Sequence, residues 1–227
     1  MIPIGDTTPR RRIPYVTWGL IAVNTLVWLY QVFMPASQLA QFIRQMAIVP
    51  ARITNRDTAA LFTLVSSMFM HGSWQHIIGN MLYLAIFGDN IEDRFGHVIY
   101  LVYYLLGGIA AAIAQVMVNP TSQVPILGAS GAIAAVLGTY IVLFPRQKVR
   151  SLIILFGFIR IAVLPALLVL GMWFVLQLFN GVASIAVSAS GGVAWFAHIG
   201  GFVFGLLAGI VSRGLQGKQT PPYYVPR

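Results

Sequence analysis

The chain has 227 residues, 58% hydrophobic and 8% charged, with a net charge of +9 and no cysteine. A soluble domain of this size carries roughly 25% charged residues, so the composition excludes a soluble globular protein, and the lack of cysteine excludes disulfides, a thiol nucleophile and cysteine-ligated metals. The basic residues are too few, and too confined to the ends of apolar runs, to form a nucleic-acid-binding face.

In chain order, residues 1–14 read as a cytoplasmic segment whose Arg10, Arg11 and Arg12 precede an apolar run over about 15–34. A run of about 20 residues is long enough to span a bilayer, and no small-residue cleavage site follows it, so it reads as a retained first helix rather than a signal peptide. Residues 35–68 form a long connector with Pro35, Pro50 and a polar run at Thr54–Asp57, a length that points to partial structure of its own or a functional role. Further spans are expected at about 69–88, 97–118, 126–144, 163–180 and 192–212. Between the fourth and fifth, residues 151–159 are too short to cross and read as an interfacial segment, set off by Arg160 and Pro165. The tail 213–227 is polar and Pro-rich and reads as flexible. Its Pro221-Pro222-Tyr223-Tyr224 matches a short ligand pattern and is given no weight. The fold class expected is an all-α membrane protein, a compact six-helix bundle over 15–212.

Orientation follows from charge. Arg10, Arg11, Arg12, Arg94, Arg146, Lys148, Arg150, Arg160, Arg213, Lys218 and Arg227 fall on one side of a six-span arrangement, against Arg44, Arg52 and Arg56 on the other. The positive-inside rule then puts both termini in the cytoplasm. Spans two, four and six run from outside to inside, so polar groups near their starts share one depth.

Three such groups stand out, because polar side chains inside spans are costly and mark function by default. The first is His71, His76 and Asn80; His76 and Asn80 are four apart and share a helix face. The second is Gly128-Ala129-Ser130-Gly131. By itself a serine among small residues is more often a packing feature; as a nucleophile it needs a base in hydrogen-bond reach. The third is Ala197-His198 followed by Gly201, Gly205 and Gly209 on the face of His198. Gly131, Ala134, Ala135 and Gly138 offer a matching small stripe beside Ser130, so the two helices can approach closely enough for a short hydroxyl to meet an imidazole. His76, Asn80 and the Ser130 backbone N–H are candidate oxyanion donors. None of Asp6, Asp57, Asp89, Glu92 and Asp93 is tied to His198, so a Ser130–His198 dyad is expected, with the imidazole oriented by packing. A metal held by His71, His76 and His198 is the rival chemistry, disfavoured because no carboxylate lies at that depth to act as base. A channel or transporter with a histidine proton relay, or a non-catalytic binder of transmembrane clients, stays open on the residues alone. His97 reads as an interfacial residue.

Taken together and in order, these motifs resemble those of the rhomboid family of intramembrane serine proteases over about residues 15–212; Gly88, Glu92 and Gly96 are similar to the family's cytoplasmic turn. The resemblance implies a serine endopeptidase acting on transmembrane protein substrates within the lipid bilayer, with no metal or organic cofactor. It implies Ser130 as nucleophile, His198 as general base and then acid, His76, Asn80 and the Ser130 N–H as oxyanion stabilisers, and His71, Gly128, Gly131 and Gly201 as supporting residues. The setting expected is a bacterial plasma membrane, with the site opening to the outer face. One departure is the absence of the Trp-Arg pair that many members carry in the first outer loop; Arg52 and Arg56 are here without a tryptophan.

Overall fold

The computed structural model describes residues 1–155, 158–186 and 193–215. Its helices are α1 (Tyr15–Val32), α2 (Ala36–Met46), α3 (Pro50–Thr54), α4 (Thr63–Ser66), α5 (Trp74–Tyr83), α6 (Asp89–Phe95), α7 (His97–Val118), α8 (Ser130–Leu143), α9 (Ala166–Ala186) and α10 (Trp195–Leu215), with 3-10 turns at Thr58–Ala60 and Ser67–Phe69. Its strands are β1 (Ile2–Asp6), β2 (Lys148–Leu155) and β3 (Phe158–Pro165). Among the described residues, three helices are long and apolar enough to cross a membrane: His97–Val118, Ala166–Ser184 and Trp195–Leu215. The tail with Pro221–Tyr224 and most of the connector before α10 lie outside the described residues.

α8 is the centre. Its 14 residues rise about 21 Å at about 1.5 Å each, and Gly131 through Tyr140 are all buried. A helix that is apolar and small-residued all round needs neighbours on every side. It finds α10 and α7 against it, with Phe87, Ile91, Tyr100 and Tyr104 from α5–α7 closing the core. α5 and α6 form one continuous rod joined by a π-helical turn at Leu84–Gly88. There a Cβ at Gly88 would lie 2.6 Å from the Tyr100 hydroxyl oxygen, so only glycine lets α7 pack so near.

Glu92 ties the bundle together at the end opposite Ser130. α1 has no side-chain cap of its own. The Glu92 carboxylate accepts from the backbone N–H of Val16 (2.8 Å) and Thr17 (2.7 Å) and from the Thr17 hydroxyl (2.7 Å), and it meets His97 Nδ1 at 2.6 Å. An anion at a helix N-terminus satisfies orphan donors and complements the dipole. Burial pushes the carboxyl up, but the hydrogen bonds from Thr17, Val16 and His97 outweigh it and hold it below its ordinary range. His97 is thus a partner of Glu92 as well as a half-buried residue at the start of α7.

Two expectations need correction. The protein is mostly helical but not all-α: of residues 151–159, expected as an interfacial piece, the described ones (151–155 and 158–159) belong to a three-stranded antiparallel sheet of order β1-β2-β3. β2 pairs with β3 from Lys148↔Pro165 to Leu155↔Phe158, and the segment expected as a plain N-terminal lead supplies β1, with Ile2 opposite Leu152 and Asp6 opposite Val149. The reason is composition: Ile153, Ile154, Ile159, Ile161 and Val163 are β-branched and favour strands. α9 consequently begins at Ala166, after Pro165. The second correction concerns helix starts. The segment from 126 is not helical until Ser130, and His71 precedes α5 rather than riding on it. Ile126 pairs with Ile48 in an isolated antiparallel bridge and Gly128 has a positive φ, so the first chain is not helical before Ser130. Ser73 sets the second start as N-cap, accepting from the His76 N–H.

Candidate active site

Ser130 is the first residue of α8. Gly128 makes the approach: its φ of +127° lies where side chains are strained, and its N–H donates to the Ser67 carbonyl at 2.9 Å. A Cβ there would also strike the His76 ring, 2.7 Å from Nε2, and lie 3.7 Å from Ser130 Oγ. Gly128 therefore brings His76 and Ser130 to the same spot. No side chain caps α8, so its first N–H groups are available to a ligand and carry the positive end of the dipole.

His198 lies in the first turn of α10, which is started by Gln115 of α7: its Oε1 accepts from the Phe196 and Ala197 N–H groups at 3.0 and 3.2 Å. The Ser130 hydroxyl and His198 Nε2 are 2.7 Å apart. The seam beneath them is glycine-built. A Cβ at Gly201 would land on the Gly131 carbonyl oxygen, one at Gly205 on that of Ala135, and one at Gly138 on that of Phe202. Hydrogen bonds pin the same seam: Thr139 donates to the Gly205 carbonyl and Tyr103 to that of Ala135, each at 2.7 Å.

The other predicted residues form the facing wall. Asn80 Nδ2 donates to His71 Nε2 at 2.9 Å, and the His71 and His76 rings meet edge to face with centroids 5.0 Å apart. Gln31 of α1 brackets the His71 backbone, donating to its carbonyl (3.1 Å) and accepting from its N–H (3.0 Å). His71 is thereby a fixed acceptor that aims the Asn80 amide, leaving that amide one further N–H to offer. The Gly72 N–H reaches His76 Nδ1 at a long 3.5 Å, which assigns the ring proton to Nε2, on the ring edge that faces Gly128. These groups line a cavity of about 1500 Å³ that includes His76, Asn80, Gly128, Ser130, Trp173 and His198.

Sequence reasoning missed the second polar contact of His198. Its Nδ1 lies 2.8 Å from Oε1 of Gln177 on α9, a buried residue. Trp173, one turn earlier, tilts against the imidazole with centroids 5.8 Å apart, and Trp195 meets it edge-on at 6.2 Å. The signal was present: Gln177 is a lone amide in the apolar stretch Ala166–Phe179, where a polar group needs a partner. Gln31 and Gln115 carried the same signal in their own helices.

A mostly helical membrane protein with a serine–imidazole pair facing a histidine and an asparagine across one cavity is the class that fold and site define. The chain belongs to the rhomboid family: the profile of the Rhomboid domain matches residues 58–214. It is similar to Rhomboid protease GlpG of Haemophilus influenzae, 32% identical over 154 residues, covering 67% of this chain and 70% of that protein. It is also similar to Rhomboid protein 1, mitochondrial, of Saccharomyces cerevisiae, 31% identical over 168 residues, covering 69% of this chain and 44% of that protein. A third relative is RHOMBOID-like protein 12, mitochondrial, of Arabidopsis thaliana, 29% identical over 148 residues, 58% of this chain and 42% of that protein. The chain thus spans less than half the length of these two mitochondrial relatives.

Proposed function

We propose that this protein is an intramembrane serine endopeptidase that hydrolyses peptide bonds in or near transmembrane segments of other membrane proteins. The observation that carries the reading is the 2.7 Å contact between Ser130 Oγ and His198 Nε2 at an uncapped helix N-terminus facing His76 and Asn80. The relatives named as proteases support it. Ser130 Oγ attacks the substrate carbonyl carbon as His198 Nε2 takes the hydroxyl proton. Negative charge gathers on the former carbonyl oxygen, where the Ser130 N–H, His76 Nε2–H and the free Asn80 N–H are arranged to donate. The C–N bond breaks, the amine leaving with the proton from His198. A water then attacks the acyl-enzyme with His198 as base, and Ser130 Oγ recovers the proton. Water comes from the polar cavity, so it need not cross hydrocarbon. A substrate helix must unwind to offer its carbonyl, so sites near Gly or Pro are favoured.

The reading includes six spans with both termini cytoplasmic and a membrane domain over 15–212, in a bacterial plasma membrane with the site open to the outer face. The distribution of Arg and Lys supports this orientation. The test is cleavage of a model transmembrane substrate in liposomes, alongside labelling with a fluorophosphonate probe. Wild type should cleave and label at Ser130, while Ser130→Ala and His198→Ala should lose about 10⁴-fold or more of the activity. Unimpaired cleavage by Ser130→Ala, or chelator-sensitive cleavage, would overturn it.

A further inference from the structure

We propose that Gln177 is the positioning residue of this site: it holds His198 in the tautomer and rotation that let its Nε2 accept the Ser130 proton. The inference rests on the serine-protease reading and deepens it, because it replaces an imidazole held only by packing with one held by a specific polar partner.

The assignment follows from which groups can donate. The Gln177 amide makes two contacts. Its Nε2 lies 3.2 Å from the Trp173 carbonyl oxygen, one turn back in α9. A carbonyl oxygen only accepts, so the NH2 end of the amide must face it, and that fixes the amide's orientation. Oε1 is then the end facing His198 Nδ1, at 2.8 Å. An amide oxygen only accepts as well, so Nδ1 must carry the proton. In the neutral imidazole the other nitrogen, Nε2, is left with its lone pair, directed at Ser130 Oγ 2.7 Å away. A backbone carbonyl on α9 thus dictates, through one amide, which nitrogen of a histidine on α10 can act as base. In soluble triads the same duty falls to a carboxylate. An amide performs the orienting half of that duty without placing a charge in the bilayer. It gives less stabilisation to the imidazolium that forms when Ser130 is deprotonated. The two indoles, Trp173 and Trp195, bracket the ring and cannot select a tautomer, since neither accepts a hydrogen bond at Nδ1.

The test compares Gln177→Met, which keeps length and apolar bulk but has no strong acceptor, with Gln177→Glu, which keeps the acceptor. Three readouts are taken in the same proteoliposomes: cleavage kinetics against pH, fluorophosphonate labelling of Ser130, and imidazole 15N shifts of His198. Gln177→Met should lower kcat about 10²-fold, leave KM within about 2-fold, slow labelling in parallel, and show a mixed-tautomer 15N pattern. Gln177→Glu should restore kcat to within about 10-fold of wild type, show the Nδ1–H tautomer, and move the acid limb of its pH–rate profile to higher pH, because a carboxylate favours the imidazolium. Wild-type kcat and a single Nδ1–H tautomer in Gln177→Met would overturn the proposal. So would a Gln177→Glu enzyme as slow as Gln177→Met with an unmoved acid limb, and this arm stands if Gln177→Met does not fold. Failure of the protease reading itself looks different: wild type would neither cleave nor label.

Discussion

The seam between α8 and α10 and the flank formed by α9 meet the same imidazole by opposite means. In the seam, backbone touches backbone: Gly138, Gly201 and Gly205 leave no room for a methyl group. On α9, Gly171 has no atom within 4 Å of where a Cβ would stand, and Met172, Val175, Leu176 and Phe179 are exposed. α9 reaches the site chiefly through Trp173 and Gln177. The distance between hydroxyl and imidazole is therefore set by rigid main-chain contact, while the ring's orientation is set by one amide on a lightly packed helix. Position and orientation are separable here, because steric contact fixes helix separation and a hydrogen bond fixes rotation about a side-chain bond.

The comparison can be broken most forcefully in the seam. Gly205→Val would drive three carbons into the Ala135 carbonyl, and overpacking of well-filled interiors costs about 1–3 kcal/mol or more. The expected result is loss of both probe labelling and resistance to thermal aggregation. A stable, fully labelled variant would show that the seam yields and that its closeness does not set the dyad. Next in size is the facing wall. Asn80→Ala should reduce kcat about 10²–10³-fold and cost about 1–3 kcal/mol of stability, because it leaves the buried His71 Nε2 unpaired, whereas a matching rise in KM alone would mark Asn80 as a substrate-binding group instead.

A smaller effect asks whether the tightly packed half depends on charge. Asp89, the first residue of α6, is pushed up to about 6 by burial, with Asp6 nearby adding to the effect and Arg10 opposing it. The sign follows from the unfolded chain ionising first, near its ordinary 3.8. Stability from this group is complete below about pH 4 and is lost as pH rises to about 6. Asp89→Asn should therefore match wild type near pH 4 and melt about 2–4 °C higher at pH 8. Equal melting temperatures at both pH values would mean the carboxyl is solvated. The smallest change is expected on the flank, where Gly171→Ala should be neutral or gain up to about 1 kcal/mol. A loss there, against the collapse of Gly205→Val, would erase the contrast between the two regions.

Much of the site was legible in the sequence, and for a definite reason. The residues His71, His76, Asn80, Ser130 and His198 announce themselves as polar groups in apolar runs, and the glycine periodicity after His198 is helix geometry, local to one segment. The sheet was not legible. β1 pairs with β2 across about 140 residues of chain, and nothing near Ile2 specifies Leu152 as its partner. The buried role of Glu92 was equally hidden: two of its partners are the backbone N–H groups of Val16 and Thr17, 76 and 75 positions away, and backbone groups carry no sequence signature.

Sequence alone determined the solvent this protein lives in, the order of its apolar segments and which polar side chains stand inside them, because hydropathy and residue chemistry are properties of single residues and their near neighbours. Only tertiary structure decided that Gln177 faces Nδ1 of His198, that His71 aims Asn80, and that Glu92 caps a helix it does not belong to. Those contacts depend on which helices become neighbours and how far each is rotated about its axis, and both are settled by packing of the whole bundle rather than by spacing within any one stretch.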